Sequence, residues 1–187
     1  MMKPDITFIA LALAAGLVSS SSYAAPISGT STLNATFKTT VVPGTCTAKI
    51  LNAAGEEATE IKFNDVFKSD LINKSRTEAF KVDFSNCSGV KTIGVTASPG
   101  AGSACSNATS ANFGASNNTA LELWNGVADS GVRLSCTTQP EQKLALGGAN
   151  ASDIAMNARI VVADDKTISD VTPGDVTTQV TFTVAYQ

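Results

Sequence analysis

Along most of the chain apolar and polar residues alternate with a period of two, and the alternating stretches are separated by Gly, Asn, Asp and Ser turn residues. The pattern predicts strands over residues 33–41 (ended by Pro43-Gly44), 46–51, 59–63, then Phe80, Val82 and Phe84 running into Cys87. Residues 91–97 are expected as the hairpin partner of that last strand, across Ser88-Gly89. Further strands are expected at 121–124, 131–135, 144–146 (before the Gly147-Gly148 break), 154–163 and 179–186. The polar stretch 64–76 has room for one short helical turn, and no amphipathic helix longer than about two turns is written anywhere. Many short strands joined by tight turns predict an all-β antiparallel sandwich. Residues 98–118, rich in Gly, Ser, Ala and Asn, form a long loop with almost no core-forming side chain.

The first residues have a different pattern. An unbroken apolar run at 6–18 follows Lys3 and precedes SSSSYA, with Ser22 and Ala24 as the small residues of a cleavage site. The run is short of the ~20 residues that a membrane span needs, so residues 1–24 read as a secretory signal peptide, with the mature chain starting at Ala25. Export places Cys46, Cys87, Cys105 and Cys136 in an oxidising space, where two disulfides are expected. Three pairings are possible; Cys46–Cys87 with Cys105–Cys136 is favoured because each bond then joins neighbours in chain order.

Composition narrows the chemistry. The 187 residues are 43% hydrophobic and 16% charged, with a net charge of −3 and pI near 4.9. There is no run of Lys or Arg, so nucleic acid is not an expected partner. The chain has no histidine, which removes the commonest general base and the usual zinc and copper ligand. No GxSxG motif occurs, and Glu56-Glu57 and Asp164-Asp165 read as solvated acids. The expectation is a protein with no catalysis, no metal and no cofactor. Trp124, inside the apolar LELW stretch, reads as packing.

Both ends of the mature chain carry an apolar-alternating strand, the first behind a polar lead at 25–32. Such a terminal strand is either an ordinary edge strand of its own domain or one meant for another molecule. The order of features resembles the subunits of chaperone-usher (type 1-like) fimbriae, the pilin family. A signal peptide is followed by Phe37-Lys38-Thr39-Thr40-Val41-Val42 leading into Cys46, with Cys87 about 40 residues on. After these come Ala120-Leu121-Glu122-Leu123 and Ser130-Gly131-Val132-Arg133-Leu134. The chain closes with Gly174, fourteenth from the end, and a final strand with penultimate Tyr186. Thr39 stands where many members carry glycine, seven residues before the first cysteine, and Cys105 with Cys136 is a pair that the simplest members lack.

The resemblance implies an incomplete immunoglobulin-like sandwich completed by a donated strand. It implies three segments: signal peptide 1–24, donor-strand extension 25–42 and pilin domain 43–187. Leu33, Ala35, Phe37, Thr39 and Val41 would form the donated face. Gly174, Val180, Phe182, Val184, Tyr186 and the terminal carboxylate of Gln187 would meet the periplasmic chaperone and then the incoming strand. The implied partners are that chaperone, an outer-membrane usher and other fimbrial subunits, on a route through the periplasm to the cell surface. The expected function is a structural fimbrial subunit supporting cell adhesion. The alternative is a single-domain adhesive tip or minor subunit that binds a host receptor or glycan through the 98–118 loop or Trp124.

Overall fold

The computed structural model describes residues 35–187. The signal peptide, Leu33 and the start of the 33–41 strand lie outside the described residues. Residues 35–40 belong to a unit of their own, residues 41–187 to another. In the first, residues 35–40 are exposed and form no strand, Phe37 being 93% exposed. The expected alternation there is real, but it has no ladder partner among the described residues.

The second unit contains nine strands and one short helix. The six-stranded sheet takes the order β1 (Thr45–Asn52), β2 (Thr77–Ser88), β8 (Ser152–Val162), β5 (Thr119–Asn125), β4 (Phe113–Gly114), with β6 (Val132–Leu134) also pairing β5. The three-stranded sheet has β3 (Thr92–Pro99) between β7 (Gln142–Ala145) and β9 (Val180–Tyr186). Every pairing is antiparallel. The core lies between the sheets and is built from alternate residues: Phe80, Val82 and Phe84 of β2, Leu121 and Leu123 of β5, Ile154, Met156 and Ala158 of β8, facing Ile93, Val95 and Ala97 of β3. The period of two puts these on one face of each strand.

Four expectations are corrected. Residues 77–88 and 92–99 do not form a hairpin. Both edges of β2 are already filled, by β1 and β8, so the chain crosses at 89–91 to the other sheet. Gly89 makes that turn with a positive φ of 70°. It packs so closely against Gly44 that a Cβ on Gly44 would lie 2.5 Å from the Gly89 carbonyl oxygen. Residues 59–63 are not a strand. Their alternation reports burial instead, since Ile61 and Phe63 pack half-buried against the core. The strand expected at 144–146 is β7, two residues earlier in its start. The 98–118 loop does contribute to the core, because Phe113 is fully buried in the short β4.

The structure pairs Cys46 with Cys87 and Cys105 with Cys136. The first bond joins the start of β1 to the end of β2. The second ties the long loop to the end of β6, where Cys136 is buried in the core. Chain-entropy reasoning makes each loop closure worth roughly 4 kcal/mol.

A third layer covers the outer face of the six-stranded sheet. The helix α1 (Lys68–Asn73) puts Leu71 against Ile160 and Val171. Its start is held by the Asp70 carboxylate, which accepts the Phe67 N–H at 2.9 Å and also the Ser75 hydroxyl at 3.0 Å. Beside it lies a buried charge cluster. Glu122 on β5 accepts two hydrogen bonds from Arg159 of β8, from Nε at 2.8 Å and Nη2 at 2.5 Å. The same guanidinium donates to Asp129 at 2.5 and 2.6 Å. These bonds raise the Arg159 pKa above its ordinary value and lower that of Asp129. The other Glu122 oxygen takes Arg133 at 3.3 Å and Lys74 at 3.5 Å. Burial alone would make one charge here very costly, and the pairing offsets that cost. Nearby, burial pushes the Asp164 carboxyl up, but hydrogen bonds from Ser110, Asn112 and Ser106, with the Arg133 charge, outweigh it and hold the pKa below the ordinary 3.8.

Two outcomes follow from this layer and its staple. Replacing Cys105 and Cys136 together with Ala should lower the melting temperature by the equivalent of a few kcal/mol; an unchanged thermal midpoint would show that Phe113 burial holds the loop alone. Because its folded pKa is depressed, Asp164 contributes stability present above the unfolded pKa and lost as pH falls through the folded one. Asp164→Asn should therefore flatten the loss of stability below about pH 4, measured by urea unfolding at stepped pH.

Candidate functional site

The strand β9 hydrogen-bonds to β3 along its whole length, from Val180↔Pro99 to Tyr186↔Ile93. Its other edge has no ladder partner among the described residues. The asymmetry appears in the side chains. On β3, flanked on both sides over Thr92–Val95, Ile93 and Val95 are fully buried, and Ala97 just beyond is 1% exposed. Their neighbours on β9, Tyr186, Val184 and Phe182, face the same core and are only half-buried, as is Val180. Apolar side chains that point inward yet stay partly in water mark an incompletely covered core.

The opposite wall comes from the other sheet. There β1 is also an edge strand, its far side carrying only the isolated Leu51–Glu57 bridge among the described residues, and Cys46 and Ile50 are half-buried against the shared core, as are Ile61 and Phe63. The two edges meet at one end, where the Tyr186 hydroxyl donates to the Cys46 carbonyl at 3.1 Å. The Cys46–Cys87 disulfide fixes that carbonyl. Phe182 also meets Phe80 of β2 across the core, ring centroids 6.0 Å apart. Between the sheets, then, runs a seam of half-buried apolar residues with unpaired backbone beside it.

The chain terminus closes the same end. Gln187 donates its N–H to the Thr92 carbonyl at 2.9 Å, and its main-chain oxygen accepts the N–H groups of Lys91 at 2.7 Å and Thr92 at 2.9 Å. The structure thus brings Val180, Phe182, Val184, Tyr186 and Gln187 onto one edge. Gly174 is not on that edge. It sits in the loop before β9 with φ 142°, where a Cβ would meet Asn117 at 3.1 Å. Ala35, Phe37, Thr39 and Val41 are exposed and outside any strand. Trp124 is 9% exposed, with the Arg133 and Arg159 guanidinium carbons 5.6 and 5.8 Å from its ring centroid. Among the described residues no group of three or more His, Cys, Asp or Glu side chains is placed to hold a metal ion.

Sequence reasoning missed the wall made by Ile50, Ile61 and Phe63, and it missed the Glu122–Arg159 cluster. The second had a signal. Glu122 and Arg159 interrupt otherwise apolar strands, and a charge at such a position needs a partner.

No family-level sequence profile matches the chain. It is 34% identical over 191 aligned positions to an uncharacterised fimbrial-like protein, YadL, of Escherichia coli K12, covering 93% of this chain and 92% of that one. Among solved structures, the P pilus rod subunit PapA aligns over 76% of this chain and 99% of its own, with a TM-score of 0.54 and 14% identity. A chain from a chaperone-usher pilus whose structure concerns rod uncoiling aligns over 87% and 100%, with a TM-score of 0.55 and 18% identity. At those identities the structures speak for the fold.

Tyr186→Phe removes the side-chain bond that ties β9 to β1. The expected cost is about 1 kcal/mol, read as a lower denaturation midpoint with an unchanged slope; no change would mean that the half-buried row alone holds the two edges together.

Proposed function

Because the chain belongs to the fimbrial protein family and has the incomplete immunoglobulin-like fold of pilus subunits, we propose that it is a structural subunit of a chaperone-usher fimbria and polymerises by donor-strand exchange. The observation that supports this most is the half-buried inward row of β9 beside an unpaired strand edge. A strand added there would complete the three-stranded sheet and cover the core in one step, since main-chain hydrogen bonds supply affinity and alternate side chains fill the seam.

In this reading residues 43–187 form the receiving domain and residues 25–42 the donated strand. Leu33, Ala35, Phe37, Thr39 and Val41 enter the seam of the next subunit. The exposure of Phe37 and Val41, 93% and 92%, fits side chains that await a partner. Thr39 then occupies a position where many members have no side chain, so the facing pocket has to admit a methyl and a hydroxyl. Before exchange a periplasmic chaperone holds the seam and the carboxylate of Gln187, and an outer-membrane usher directs the handover. The finished fibre lies at the cell surface and supports adhesion. Its chemistry is strand exchange and disulfide bonding, not catalysis.

The test uses the truncated chain 43–187 and a peptide spanning 25–42. A ligand at 100 times its dissociation constant stabilises by ~2.7 kcal/mol, so the peptide should raise the melting temperature by several degrees. The same peptide carrying Phe37→Asp should not. If the truncated chain is already a stable monomer and neither peptide moves its melting temperature, donor-strand exchange is not its mode of assembly.

A further inference from the structure

The half-buried row of β9 is tied to β1 at one end, where the Tyr186 hydroxyl donates to the Cys46 carbonyl. At its other end the row begins with Val180, whose ladder partner is Pro99, the last residue of β3. Val180 takes its position from the segment just before it, and the long loop after β3 holds that segment.

The loop has two arms that pair with each other. The Ser106 N–H donates to the Asn112 carbonyl at 2.9 Å and the Gly114 N–H to the Ala104 carbonyl at 2.8 Å, on either side of a bridge between Cys105 and Phe113. Each arm also holds part of 177–179. From the first arm, Gly100 donates its N–H to the Gln179 carbonyl at 2.9 Å, and the Ser103 hydroxyl accepts the Gln179 N–H at 2.9 Å. From the second, the Gly114 carbonyl accepts the Thr178 hydroxyl at 2.7 Å and the Ser116 hydroxyl accepts the Thr177 N–H at 3.0 Å. The fit at Gly100 is close, since a Cβ there would lie 2.7 Å from that of Gln179.

The arms differ in what anchors them. Phe113, fully buried, fixes the second. The first, residues 100–106, reads GAGSACS and has no large side chain. Its contact with the core is Cys105, half-buried and bonded to Cys136, which is itself buried just after β6. Side chains this small bury too little apolar area to order a segment against its conformational entropy. The arm that holds Gln179, and through it the start of β9, is therefore only as fixed as the disulfide makes it.

We propose that the Cys105–Cys136 disulfide is a positioning group for strand acceptance: it holds the arm 100–106, which sets Gln179 and Val180 and so the width of the seam at its untied end. This role rests on the strand-exchange reading above. An edge already in place binds an added strand without the cost of being ordered first.

The mature chain, residues 25–187, held dilute as a monomer, is compared with its Cys105→Ala/Cys136→Ala variant by hydrogen exchange at a temperature where both are folded. Protected amides of β9 up to Phe182 should exchange about tenfold faster in the variant and those from Val184 onward less than about twofold faster, because the opening is local. Uniform acceleration along β9, or none, would overturn the proposal, since a loss of global stability moves every amide alike. With the disulfide intact, Ser103→Ala should give the same uneven pattern at about fivefold, the worth of one hydrogen bond, and Ser103→Thr, which keeps the hydroxyl, should not. A Ser103→Ala chain that exchanges like the wild type would equally overturn it. At high concentration the wild-type chain should assemble, followed by light scattering, and the cysteine variant should assemble about fivefold more slowly. Equal rates would remove the disulfide from strand acceptance. A wild-type chain that never assembles would overturn strand exchange itself, an outcome told apart by the exchange pattern, which needs no assembly.

Discussion

A strand hydrogen-bonded on one side only carries a row of N–H and C=O groups that must find water or another strand. In this protein that strand is β9, and its inward side chains share the predicament of its backbone. Val180, Phe182, Val184 and Tyr186 face the core and are still partly wet. Neither problem is solved inside the described residues. Both would be solved by the same object, one extended segment with alternating apolar side chains. The assembly reading follows from this coincidence of unpaired backbone and uncovered apolar surface along one line.

An open seam is tolerable only if the remainder of the sandwich is rigid without it. The six-stranded sheet meets that requirement from both faces. Inside, Phe84 and Phe113 are fully buried, each worth about 1.5–3 kcal/mol relative to exposure. Outside, the Glu122–Arg159 pair and the apolar contacts of α1 cover β5 and the second half of β8, so that β5 has no wet face. The disulfides work at the two weakest places. Cys46–Cys87 fixes the entry of β1 where the chain passes Gly89, and Cys105–Cys136 restrains a loop whose buried apolar anchor is Phe113. The outer layer also separates two kinds of surface. The seam is apolar and linear, suited to a strand, whereas the face beside α1 carries the Glu122–Arg159 charge cluster.

Much of the strand content was legible because alternation reports which residues face a core, and that is a local property. The same signal misled at 59–63, where Ile61 and Phe63 alternate inward without any ladder, and at 88–91, where adjacency in sequence implied a hairpin that β2 had no free edge to make. Side-chain burial and backbone pairing usually coincide in a strand, but period two encodes only the first. Phe113 shows the converse, a single large apolar residue in a Gly-, Ser- and Ala-rich loop that no periodicity flags and that is nevertheless fully buried in the core.

The sequence by itself determined the all-β class, the alternating row of β9 and the expectation of two disulfides among four cysteines, with three pairings open and the chain-order one favoured, because each depends on residue type and spacing along the chain. Only the tertiary structure decided that β9 and β1 are both edges, that Ile50, Ile61 and Phe63 form the facing wall, and that three cations surround Glu122. Those facts depend on which strands run out of partners once the sheets are assembled. That is a question of pairing between segments distant in sequence, and no local pattern of hydrophobicity carries it.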